Sequence, residues 1–300
     1  MTRLFRSPAD ELEHVTEQAR LLLLNAGVGD RLPTPVSEIV AFAELVISQD
    51  ITLSELPKSF FGRSMEHLFS ALQKAKGLID LRDNVIYLDS LKAPKQRAFV
   101  KLHEVGHKLL PWQRDAYLYL DDNSTLDPDV KELFEREANH FASEVLFQGE
   151  RFSREARDLP ISAKSAIHLS KRYGASIHAA MRRFVRTDRR SCALLVIQRE
   201  PDAETGRTLL RIRSAEESAR FTRTTGGVEW PEYLSQECPV APLIYSGRKL
   251  VEDGRWDVVV ASGRKVECAF HYFDNSWNGF LLIYPLSEKA TTRTKIVLSP

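Results

Sequence analysis

The chain has 300 residues, 43% of them hydrophobic and 28% charged, which gives it enough apolar surface for one large or two ordinary globular domains. Its formal net charge of +1 excludes a bulk field that would gather nucleic acid or an acidic membrane, so any such preference must be local. The three cysteines, Cys192, Cys238 and Cys268, are widely spaced and make no CxxC pair; they exclude a disulfide framework, suit a reducing compartment and read as small core residues.

Taken in chain order, the first predicted element is a helix. Ser7 caps it, Pro8 takes its first position, Asp10 lies in its first turn and Gly27 ends it. The only apolar run there is "LLLL", preceded by acidic residues, which is unlike the core of a signal peptide. No later segment approaches the roughly 18–20 apolar residues of a membrane span, and the expected location is the cytoplasm. A second helix is predicted in "PTPVSEIVAFAELVI", with Thr34 as cap and Pro35 behind it, and a third in "SMEHLFSALQKAKG". "LIDLRDNVIYLD" then reads as a hairpin over 78–89, two short strands around the turn at Asp83 and Asn84. Its strand around Val85 to Leu88 is expected to offer an edge for substrate by strand addition.

The hairpin leads into "RAFVKLHEVGHKLLPW", a helix over 97–110 ended by Pro111. Positions i and i+4 share a helix face, so His103 and His107 can present ring nitrogens to one ion. Glu104 projects beside the pair, where it can act as a general base towards a water at the ion's open side. The same pattern also occurs on ordinary helices. Here Phe99, Val100, Leu102, Val105, Leu109 and Leu110 surround it with apolar side chains, and unpartnered imidazoles and a carboxylate buried among them would be costly. Gly106 costs a helix roughly 1 kcal/mol against alanine, a cost that makes sense where backbone or metal comes close.

A third ligand must come from elsewhere. After a loop, "DDNSTLDPD", the chain is helical from Pro128 to Gly149. Glu135, Ala138, Asn139 and Ala142 fall on one face there, a carboxylate among small residues that permit close approach. Glu135 is the best candidate, and Asn139, one turn on, is placed to hydrogen-bond a ligand and hold it in orientation. Glu137 and His140 point to other faces.

Two charged segments compete for attention. Residues 115–137 hold eight acids against two basic residues, and 160–190 hold eight Lys or Arg against one acid, Asp188. The basic segment reads as helix, glycine turn, helix over 160–187, with Ser176 capping the second helix, a pattern like a helix-turn-helix. Its DNA-contact candidates are Lys171, Arg172, Arg182 and Arg183; the alternative is that the helices pack beneath the site and the basic residues form a solvated face. The acidic loop, including Asp121 and Asp122, is expected to flank the cleft and favour a basic substrate. From about residue 190 the chain turns strand-rich, in "CALLVIQRE", "TLLRIRS", "WDVVVAS", "VECAFHYF", "GFLLIYPL" and "TKIVLS", with a helix in "AEESARF".

"RAFVKLHEVGHKLL", "EREANHFASEVL" and "ISAKSAIHLSKRYGASIHAAMRRFV", in that order over about residues 75 to 187, resemble the ImmA/IrrE family of bacterial and phage zinc metallopeptidases. The resemblance implies a gluzincin-like minimal zinc-peptidase domain, mainly helical with a small sheet, over 1–190; the strand-rich runs read as a β-rich α+β domain over 191–300 for sensing or partner binding, so the expected fold class is α+β. It implies Zn2+ held by His103, His107 and Glu135, with Glu104 as catalytic base. It also implies a protein partner, a repressor of the helix-turn-helix type, cleaved to release stress, phage or mobile-element genes. The alternative is a DNA-binding transcriptional regulator whose metal site is structural or vestigial. One departure is visible: where the family has Leu-Met-Pro after the third-ligand helix, this chain reads "LFQGERF", which puts substrate access rather than the ligand set in question. Tyr117, Tyr119 and His140 are the chemically possible oxyanion stabilisers.

Overall fold

A computed structural model describes residues 12–48, 77–81, 83–88, 93–119, 126–202 and 206–288. The architecture is α+β, and the chain divides into two units, residues 1–151 with 172–175 and residues 152–171 with 176–300. The boundary near 190 is one of composition, helix giving way to strand. The division by packing instead groups the helices over 163–172 and 177–187 with the C-terminal sheet. Among the described residues, no helix is long and apolar enough to cross a membrane.

In the first unit, α1 (Glu13–Asn25) buries Val15, Ala19, Leu22 and Leu23. Gly27 stops it as expected, in the left-handed conformation at φ +64° that glycine adopts without a Cβ penalty. The predicted start at Ser7 and Pro8 lies outside the described residues. The second predicted helix is shorter than its sequence suggested. α2 covers Val36–Phe42, Glu44 turns left-handed at φ 55°, and the β-branched Val46 and Ile47 enter a strand, β1 (Val46–Ser48). Thr34 does not cap α2; its hydroxyl donates to the carbonyl of Leu146 at 2.8 Å, since burial requires that hydroxyl to find a partner. The third predicted helix, within 64–77, lies outside the described residues but for Gly77, which opens a strand.

The hairpin forms as predicted: β2 (Gly77–Asp80) pairs antiparallel with β3 (Val85–Leu88), Ile79 opposite Ile86. Asn84 takes the positive φ of 56° that the turn requires, and Asp80 accepts from the Asp83 amide. The expectation that β3 is an open edge is corrected. β1 pairs with it in parallel, Ile47 beside Ile86, so β3 is the central strand in the order β1-β3-β2 and its backbone groups are taken on both sides.

Two prolines set the helices that carry the site. Pro94 opens α3 (Pro94–Leu109); Pro111, expected only to end that helix, also starts the next, α4 (Pro111–Tyr119), because proline is well suited to a first helical position. Pro128 opens α5 (Pro128–Leu146), whose cap Asp127 accepts from the Asp129 amide. α5 buries Phe134, Ala138, Phe141, Ala142 and Val145. At the crossing with α3, a Cβ on Gly106 would stand 3.1 Å from Phe141 Cδ1 and 3.4 Å from Ala138 Cα. Gly106 and Ala138 therefore set how closely the two helices approach.

α6 (Glu150–Arg157), α7 (Ala163–Arg172) and α8 (Ile177–Thr187) follow. In the second unit, β4 (Ala193–Pro201), β5 (Thr208–Glu217), β6 (Leu250–Val259), β7 (Lys265–Asp274) and β8 (Gly279–Pro285) form an antiparallel sheet in the order β5-β4-β8-β7-β6. The helix expected in "AEESARF" begins later, as α9 (Ala219–Thr225) capped by Ser218, and α10 (Ala241–Tyr245) follows it. One core joins Leu195, Ile197, Phe270, Leu281 and Ile283 of the sheet to Ala241 and Ile244 of α10. Gly254 lies opposite Phe270, whose ring occupies the place of its missing side chain. All three cysteines are free and buried. Trp230 and Trp256 pack partly buried against the core, whereas Trp277 is exposed.

Candidate metal centre

The one-turn spacing on α3 places the His103 and His107 rings edge to face, with centroids 4.7 Å apart and Nε2 atoms 3.1 Å apart. From α5, Glu135 brings Oε2 to 3.3 Å from His103 Nε2 and Oε1 to 3.7 Å from His107 Nε2. The close helix crossing at Gly106 and Ala138 makes this reach possible. Among the described residues, these three form a group whose donor atoms lie within 4.8 Å of one another. Two imidazole nitrogens and a carboxylate oxygen are the donor set of one class of catalytic zinc site, and tetrahedral arms of about 2.0–2.1 Å separate neighbouring donors by about 3.3–3.4 Å. The three observed separations bracket that edge, so the residues fit a tetrahedral ion with one position left for water or substrate.

The electrostatics divide the roles. Glu104 is only 4% exposed; burial first, and then the charge of Glu135, push its carboxyl up to about 7 against the opposing pull of His103. Burial also pushes His107 down to about 4, with the His103 charge adding to it and Glu135 and Gln113 acting against it. For His103, burial is outweighed by the hydrogen bond that its ring N–H donates to Glu135 and by the charges of Glu104 and Glu135, and its pKa is raised. Glu135 is lowered, chiefly by its hydrogen bond with His103.

The remaining predicted residues separate clearly. Asn139 donates from Nδ2 to the carbonyl of Glu135, at 2.7 Å on its own helix, and its carboxamide is among the groups that raise His103. Glu137 does not join the ligand atoms. It is 4% exposed and accepts at Oε2 from Trp112 Nε1 and Gln113 Nε2, each at 2.7 Å. Gln113, which sequence reasoning missed, is fully buried and pairs its Oε1 with His107 Nδ1 at 2.7 Å. His140 faces Thr16 and Glu144. Tyr117 sets its ring edge to face with His107, centroids 5.7 Å apart; burial, then Glu135 and Glu104, raise its hydroxyl pKa. The Tyr119 side chain and the loop acids Asp121 and Asp122 lie outside the described residues.

Part of the charge on the basic helices α7 and α8 is paired within the unit they belong to. Arg182 and Arg186 both pair with Glu216 on β5, and Lys164 pairs with Glu252 on β6 at 2.7 Å. Ser176 caps α8 as predicted, accepting from the Ala179 amide, while Ala180, Met181, Phe184 and Val185 bury its apolar face. Lys171 and Arg172 are exposed and Arg183 is half-buried.

Residues 50–185 match the model of a peptidase family described as the IrrE N-terminal-like domain. No curated protein matches the chain. Among solved structures, it is similar to a Mycobacterium tuberculosis transcriptional regulator with a TM-score of 0.51 at 14% identity, over 91% of this chain and 76% of that one. At that identity the likeness speaks to the fold.

Proposed function

We propose that the chain, whose residues 50–185 match the IrrE N-terminal-like domain of that peptidase family, is a zinc-dependent endopeptidase whose substrate is a repressor of the helix-turn-helix type. The observation that carries the reading is the convergence of His103 Nε2, His107 Nε2 and a Glu135 oxygen, 3.1–3.7 Å apart, beside the buried carboxyl of Glu104. His103, His107 and Glu135 hold the ion, and Glu104 is the base. Zinc bound there supplies Lewis acidity, lowering the pKa of water from 15.7 to about 7 and polarising a carbonyl.

The protein's own groups do the rest. Glu104, a carboxyl buried beside the ligands, is the base that takes a proton from the attacking water. It returns that proton to the amine nitrogen as the carbon–nitrogen bond breaks. Tyr117, kept protonated by burial and by the two nearby carboxylates, is the hydrogen-bond donor available to the carbonyl oxygen as negative charge develops on it. Cleavage of a regulator places the protein in control of gene expression; stress, phage or mobile-element genes are the expected targets.

The test is a search for a small helix-turn-helix protein encoded beside this chain's gene, followed by co-expression of that protein with the chain. The wild type yields a discrete repressor fragment, whereas Glu104→Gln retains zinc and yields none. Cleavage by Glu104→Gln at the wild-type rate would defeat the mechanism.

A further inference from the structure

Behind His107, a chain of hydrogen bonds runs away from the site. His107 Nδ1 meets Gln113 Oε1 at 2.7 Å. Gln113 Nε2 meets the Phe134 carbonyl at 3.1 Å and Glu137 Oε2 at 2.7 Å. Trp112 Nε1 donates to that same oxygen at 2.7 Å, and His14 Nε2 lies 3.3 Å from Glu137 Oε1. The direction of each bond follows from what the groups are able to do. A backbone carbonyl and a carboxylate only accept, and an indole N–H only donates. Gln113 must therefore turn its amide nitrogen towards Phe134 and Glu137. The reversed amide would set its oxygen against two other acceptors, and in a fully buried residue that leaves several polar atoms unsatisfied.

With its amide fixed, Gln113 offers His107 an acceptor. The proton of a neutral His107 ring must then sit on Nδ1, leaving the lone pair on Nε2, the atom that lies 3.1 Å from His103 Nε2 and 3.7 Å from Glu135 Oε1. We propose that Gln113 and Glu137 are positioning residues, a Glu137–Gln113 relay that locks His107 in the tautomer and orientation needed to ligate a metal. The inference rests on the metal site proposed above. It assigns a role to two residues that touch neither ion nor substrate, and it explains why a glutamate is buried at position 137 two residues beyond the ligand Glu135. Partners behind a ligating histidine typically change metal affinity about 10–100-fold when removed.

The test uses the full chain. In the chelator-stripped wild type near neutral pH, a two-bond proton–nitrogen correlation spectrum of the imidazoles is expected to place the His107 proton on Nδ1. Zinc affinity is read by competition with a chromophoric chelator. Gln113→Met removes the acceptor at nearly constant length and is expected to weaken zinc binding about 10–100-fold and to abolish the single tautomer. Glu137→Leu frees the amide to turn and is expected to act in the same direction. Glu137→Gln is the rescue: its oxygen can still accept from Trp112 and Gln113, so both tautomer and affinity stay as in the wild type. A wild-type proton on Nε2, or wild-type zinc affinity in Gln113→Met, would overturn the proposal. Should Gln113→Met fail to fold, the wild-type spectrum and Glu137→Gln decide. Should the wild type bind no zinc, the endopeptidase reading fails, while the spectrum still decides the relay.

Discussion

Replacing Gly106 by valine tests whether the closeness of two helices creates the site. A Cβ at this position stands 3.1 Å from Phe141 Cδ1, 3.4 Å from Ala138 Cα and 3.5 Å from Phe141 Cβ. Alanine demands only that Phe141 yield a few tenths of an ångström, and the roughly 1 kcal/mol gained in helix propensity offsets that strain. Valine extends a further carbon–carbon bond, about 1.5 Å, into a contact that has no room for it, at an overpacking cost of ~1–3 kcal/mol. The relief available is separation of α3 from α5. Glu135 travels with α5, and a retreat on the order of 1 Å exceeds what ligand arms of about 2.0 Å tolerate. Gly106→Ala is therefore expected to match the wild type in denaturant unfolding to within ~1 kcal/mol and to keep its zinc affinity. Gly106→Val should unfold at lower denaturant and bind zinc at least ~10-fold more weakly, or ~1.4 kcal/mol. Wild-type zinc affinity in a folded Gly106→Val protein would show that the helix spacing does not set the site.

Three other outcomes follow from the same reading. Tyr117→Phe should keep its zinc but lose about 10²–10³ in kcat, the usual cost of one oxyanion donor; an unchanged kcat would remove Tyr117 from the reaction. Gly254→Ala sets a methyl 2.1–2.4 Å from three atoms of the buried Phe270 ring, and denaturant unfolding should show a loss of ~1–3 kcal/mol. For Glu216, burial raises the carboxyl but hydrogen bonds and charge from Arg186 and Arg182 outweigh it, so its folded pKa lies below the ordinary 4.5. The stability it contributes is thus complete above 4.5 and is lost as pH falls through the lower folded value. Thermal unfolding followed into acid should show a steeper decline in the wild type than in Glu216→Gln, and parallel declines would show the pair to be inert.

Periodicity made part of the site legible. His103 and His107 share a face by arithmetic, and Glu135 is followed by Ala138, Asn139 and Ala142, a pattern that permits a close neighbour. Gly106 signalled that neighbour from the other side. Gln113 gave no signal, because its partners Phe134 and Glu137 lie on another helix, more than 20 residues away, and no local pattern distinguishes it from an exposed glutamine. Glu137 was read as facing away from the ligand atoms, which it does; what it faces is decided by tertiary packing. β1 was hidden because three residues, "VIS", become a strand only through pairing with β3, and propensity alone extended the preceding helix over them. The basic run over 160–190 was legible as charge but not as destination, since Glu216 and Glu252, which take up Arg182, Arg186 and Lys164, stand dozens of residues downstream.

On this reading, one carboxylate from α5 completes a metal site begun by two histidines on α3. Elemental analysis of purified wild type, Glu104→Gln and Glu135→Ala, each equilibrated with zinc and freed of excess, tests it most directly. One zinc per chain is expected in the wild type and in Glu104→Gln, and a loss of bound zinc in Glu135→Ala. Full retention of zinc by Glu135→Ala, or none in the wild type, would contradict it.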